Sequence, residues 1–75
     1  LRVARRQFLA EVRAAFGDPD GAVTDIREAV RLGLQDFAWL RRCPLFADLR
    51  KNSAFQESQA IVRERAEHVL VAVAR

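Results

Sequence analysis

The sequence predicts an all-α fold, and three observations carry that prediction. Apolar residues recur at spacings of three and four through three stretches of chain, hydropathy nowhere alternates with period two, and Gly17-Asp18-Pro19, Gly33 and Cys43-Pro44 punctuate the stretches where helices should stop and start. With 75 residues, 51% of them hydrophobic and 31% charged, the chain has the apolar content of a single folded module and too little length for two domains. Its single cysteine, Cys43, excludes an intramolecular disulfide, and Cys43 with the only histidine, His68, falls short of the four ligands of a structural zinc site. Helix packing or neighbouring protein must therefore hold it. With no methionine and an apolar-periodic segment from its first residue, the chain is expected to be a fragment of a longer one.

In the first segment Leu1, Ala4, Phe8, Leu9, Val12, Ala15 and Phe16 lie on one stripe of a helix, with Arg2, Arg6 and Arg13 pointing elsewhere. Gly17 can end this helix, Asp18 can cap the next and Pro19 suits its first position. The second helix should start near residue 19 and bury Ala22, Val23, Ile26, Ala29, Val30 and Leu34, leaving Asp25, Arg27, Glu28 and Arg31 to solvent; Gly33 marks its end.

Residues 35–52 fit two short helical turns better than one helix, because Pro44 disfavours helical geometry at the residue before it. Trp39, Phe37, Phe46 and Phe55 are expected to form a small aromatic core, and Cys43 a buried or half-buried thiol. Ser53 and Gln56 have the spacing of a capping box. A final helix should run to about residue 73 with Phe55, Gln59, Val62, Ala66, Val69, Leu70 and Val73 on its buried face, and with Arg63/Glu67 and Glu64/His68 as pairs outside. The organisation is thus one helical module over 1–75: a helix pair over 8–34, a short-helix connector over 35–52 and a capping helix over 53–74.

The stretch from Phe8 to Leu34 resembles a tetratricopeptide repeat. Leu9-Ala10 falls on the large-then-small pair of its first helix, Phe16-Gly17-Asp18 on its turn, Ala22 on the small residue opening the second helix, and Ala29-Val30 on the small-large pair near that helix's end. The small residues have a mechanical role, since helices crossing within about 8 to 10 Å leave no room for long side chains at the crossing. Arg6, Arg13 and Leu34 depart from the pattern, standing where two large or aromatic residues and a proline are usual. Pro44-Leu45-Phe46-Ala47-Asp48-Leu49-Arg50, followed by Phe55-Gln56, resembles the segment that closes bacterial tetratricopeptide arrays. Such arrays end signalling proteins such as nucleotide cyclases, winged-helix regulators and serine/threonine kinases. The resemblance therefore implies a TPR-like α-solenoid with a C-terminal capping helix, working in the cytoplasm as a protein-binding or regulatory scaffold. It also implicates the groove residues Arg2, Arg6, Gln7 and Arg13, which could meet an acidic peptide or a neighbouring domain of the same chain. A terminal repeat contacts only its neighbours, so part of the Leu1–Phe16 face would meet a preceding helix or another copy of the chain as a homodimer.

Other classes fare worse. One His, one Cys, three hydroxyl side chains (Thr24, Ser53, Ser58) and no glycine-rich phosphate loop leave little from which to build an active site, so no enzyme activity, cofactor or metal is expected. The net charge of +3 falls wholly within the first sixteen residues, where Arg2, Arg5, Arg6 and Arg13 face only Glu11. A small nucleic-acid-binding module using these arginines is the alternative, weakened by the lack of aromatics among them. An oligomerisation cap is the third reading. The longest apolar run, Val69–Ala74, is too short to span a membrane and is better suited to dock on protein.

Overall fold

The computed structural model describes residues 2–74. Four α-helices follow one another: α1 (Arg2–Ala15), α2 (Pro19–Arg31), α3 (Phe37–Arg42) and α4 (Ser53–Ala74), with a 3-10 helix over Pro44–Leu49 between the last two. No strand occurs among the described residues, and the all-α reading of the sequence holds. α2 lies between α1 and α4, α3 packs on α4, and the 3-10 helix fills the space beneath α1 and α2.

Local chemistry sets the boundaries. α1 ends in a Schellman motif: Gly17 sits at φ +78°, its N–H donates to the Ala14 carbonyl (3.2 Å), and the Asp18 N–H donates to the Arg13 carbonyl (2.8 Å). The Asp18 carboxylate then caps α2 by accepting from the Gly21 N–H at 3.0 Å, with Pro19 just inside the helix. The same motif repeats at Gly33 (φ +105°), where the Leu34 N–H reaches the Ala29 carbonyl at 2.9 Å and carries Leu34 into the core. Asp36 caps α3 through the Trp39 N–H. At the start of α4 the expected Ser53–Gln56 box does not form. Asn52 is the cap, accepting from the Phe55 N–H at 3.0 Å, and the Gln56 side chain donates to the Arg50 carbonyl. Asparagine caps as well as serine, and one residue of offset suffices to put Ser53 inside the helix.

The core runs from Ala10, Ala22 and Ala29 at the α1–α2 crossing, through Ile26, Val30 and Leu34, to Leu40, Phe46, Leu49, Phe55 and Val62. Phe46 is its aromatic centre, edge-on to Trp39 at 4.9 Å and to Phe55 at 6.0 Å. Two arginines close helix ends that the sequence left open. Arg65 of α4 donates to the carbonyls of Val30 (2.8 Å) and Leu34 (3.2 Å), placing a cation where the α2 dipole is negative; Arg50 donates to the carbonyls of Leu40 and Cys43.

The end of α4 corrects the sequence reading. Val69, Leu70 and Val73 continue the stripe of Phe55 and Val62 but are exposed, Val73 to 78%. The reason is length: α4 has 22 residues, about 33 Å, against 13 residues and about 20 Å in α2, so it runs past its neighbour. The Arg63–Glu67 pair forms at 3.2 Å on the outside of α4.

Candidate functional site

α1 carries two faces of opposite character. The face on α2 comprises Val3, Arg6, Ala10, Arg13 and Ala14, three and four residues apart, with Ala10 fully buried. Most of the apolar stripe predicted from the sequence points away from α2, except that Leu9 is half-buried beside Glu28 and Leu32, and Leu1 lies outside the described residues. Ala4, Phe8, Ala15 and Phe16 are exposed, Phe8 to 63% and Phe16 to 86%, and Val12 is half-buried among them. The crossing selects small residues on α1, so the large side chains are rotated outward.

The inner face is fixed by a buried charge. Asp25 of α2, expected in solvent, is completely buried, which corrects the sequence reading there too. Its Oδ1 accepts from Arg6 Nη1 at 2.9 Å, and its Oδ2 lies 3.3 Å from Arg13 Nε. The second approach is an ion pair whose angle does not complete a hydrogen bond, which leaves Oδ2 without a hydrogen-bond partner in the structure. Arg6 and Arg13 are seven residues apart, two turns of α1, so one carboxylate from α2 can sit between them. Both guanidinium side chains remain about 40% exposed (40% and 43%). Asp25 falls among Ala22, Ile26 and Ala29 on the inner face of α2, and that position was the available signal for its burial.

The four residues singled out for partner binding therefore divide. Arg6 and Arg13 are engaged with Asp25. Arg2 is exposed and Gln7 half-buried at the N-terminal end of α1, next to Val3, Ala4 and Leu32. Arg2 also lines a shallow groove of about 260 Å³ with Arg5, Arg6 and Glu28. Glu28 is bound by two of the three Arg31 guanidinium nitrogens, Nε to Oε2 at 2.9 Å and Nη2 to Oε1. That pairing holds the Glu28 carboxyl below the usual carboxylate range and lifts the Arg31 guanidinium, with Arg6 and Arg2 adding to the effect on Glu28. On the far side of α1, Trp39 Nε1 donates to Glu11 Oε1 at 2.8 Å and ties α1 to α3.

Among the described residues no three His, Cys, Asp or Glu side chains come together as metal ligands, and no helix is long and apolar enough to cross a membrane. Compared with protein families, characterised proteins and solved structures, the chain matches none.

Proposed function

We propose that the chain is a non-catalytic protein-interaction module, a tetratricopeptide-like helix pair closed by a capping helix, which serves as a scaffold in cytoplasmic signalling or regulation. One observation carries the reading: α1 keeps apolar side chains in the open, Phe8 and Phe16 above all with Ala4, Val12 and Ala15, and Arg5 among them, on the side that neither α2 nor α4 covers. Exposed apolar surface of this kind costs solubility and is retained where a protein surface covers it. The tetratricopeptide likeness is supported by Ala10, Ala22 and Ala29, each fully buried where the resemblance puts a small residue, and by α4 lying on α2 as a following helix would.

The nucleic-acid alternative is weaker for a physical reason. Two of the four arginines in its patch, Arg6 and Arg13, already balance a buried carboxylate, so fewer cations are left to displace phosphate counterions.

Site-specific photo-crosslinking in the source cell tests the proposal. A crosslinker at Phe8 should capture one discrete protein, identified by mass spectrometry, while one at Glu57 on the outer face of α4 should not. Equal capture from both positions, or none from Phe8, contradicts it.

A further inference from the structure

We infer that the edge of the hairpin where the start of α1 meets the end of α2 is a docking site for an acidic segment of a protein partner, whose carboxylates engage Arg2, Arg5 and Arg27. The inference rests on the proposed function and names the chemistry of the partner.

The sequence spaces the cations and the hairpin brings them together. Arg2, Arg5, Arg6 and Leu9 stand at i, i+3, i+4 and i+7 along one edge of α1, and Thr24, Arg27, Glu28 and Arg31 repeat that spacing along α2. The two helices run antiparallel, so the rows lie side by side and line two shallow grooves. One, of about 260 Å³, has Arg2, Arg5 and Arg6 with the half-buried Leu9 and Leu32. The other, of about 490 Å³, has Arg6, Arg27 and Arg31 with Thr24. Arg6 and Glu28 line both.

Charge then selects the ligand. Glu28 is taken by Arg31, and Asp25 by Arg6 and Arg13, whereas Arg2, Arg5 and Arg27 make no ion pair among the described residues. Arg2 with Arg5, Arg2 with Arg6, and Arg27 with Arg31 are like-charge pairs at helical spacing, which disfavours the helices of the free chain and favours an anion between them. Carboxylate is the group these guanidinium ions already hold: Arg31 grips Glu28 through two nitrogens, and Arg6 donates to Asp25. Because Glu28 lines both grooves, the charges of the ligand must fall on either side of it. An acidic peptide can meet that condition, with a neutral residue opposite Glu28 and an apolar one against Leu9 and Leu32. A nucleic-acid strand carries a phosphate at about every 3.4 Å and would run charge across Glu28. The grooves also offer no aromatic ring on which a base could stack.

The test is fluorescence anisotropy with three labelled probes: a peptide in which pairs of glutamate and aspartate flank leucine, the same peptide with every acid replaced by its amide, and a thymidine oligonucleotide of equal charge. The wild-type chain should bind the acidic peptide most tightly, lose affinity for it as salt rises, and ignore the amide peptide. Arg5→Glu/Arg27→Glu should weaken binding by roughly tenfold or more with an unchanged helical circular dichroism spectrum. Arg42→Glu/Lys51→Glu makes the same change in net charge at exposed residues elsewhere and should bind like the wild type. No binding of the acidic peptide, equal weakening by the two double variants, or tighter binding of the oligonucleotide overturns the inference. If the acidic peptide fails to bind while Phe8 still crosslinks to one protein, the proposed function stands and only this docking site falls. If both fail, both readings fall.

Discussion

Asp25 is wholly buried, and its Oδ1 accepts a 2.9 Å hydrogen bond from Arg6, a residue whose own side chain stays 40% exposed. The asymmetry matters more than the bond. A buried carboxylate cannot reach water if its partners are removed, whereas Arg6 and Arg13 can turn outward and rehydrate if the carboxylate is removed. The clasp also sets the rotation of α1: with Arg6, Ala10 and Arg13 held inward, Phe8 and Phe16 are turned out.

Gly21 is predicted to resist the usual benefit of alanine. A Cβ there would collide with the Asp18 carboxylate and come within 2.9 Å of Arg13 Cδ, disturbing the α2 cap and one arm of the clasp. Gly21→Ala should therefore destabilise by about 1 kcal/mol where a helical Gly→Ala change normally gains about that much. Urea denaturation measures the sign, and Asp18→Ala should cost little more in the Gly21→Ala background than the glycine change alone.

The two halves of the α4 stripe should respond differently. Val62→Ala empties a fully buried site and should cost about 2 kcal/mol, while Val73→Ala, at an exposed position, should stay within about 0.5 kcal/mol. Thermal unfolding of the two variants side by side checks this.

Glu28 supplies a pH signature. Its carboxyl is held low chiefly by the Arg31 hydrogen bond, so its contribution to stability is present above the ordinary glutamate range and is lost as pH falls through the lowered folded value. In Arg31→Ala the Glu28 titration, followed by carbon NMR of the carboxyl, should move up toward the ordinary value. Arg6 and Arg2 act on it more weakly, so Arg2→Ala should move it less.

How much of this was legible follows from the range of the forces involved. Gly17, Asp18 and Pro19 act on the backbone within a few residues, so the turn and the start of α2 could be read directly. The Ser53 cap missed by one residue because Asn52 offers the same chemistry. The apolar stripe of α1 was legible as a stripe, but its direction was not. Ala10 buries less apolar surface than Phe8, and only the close approach of α2 favours alanine. Asp25 was assigned to solvent because an isolated carboxylate belongs there; its burial depends on two arginines contributed by another helix. For α4, periodicity continues past the point where α2 ends, and the sequence of α4 holds no mark of that point.

The central claim is that Asp25 is a buried charge compensated from α1, and the most direct measurement is the unfolding free energy of the wild type, a double variant and a triple variant. Arg6→Ala/Arg13→Ala leaves the carboxylate stranded and should cost about 3 to 5 kcal/mol, whereas adding Asp25→Ala to that pair should recover part of the loss. A triple variant as unstable as the double, or less stable, would contradict the account.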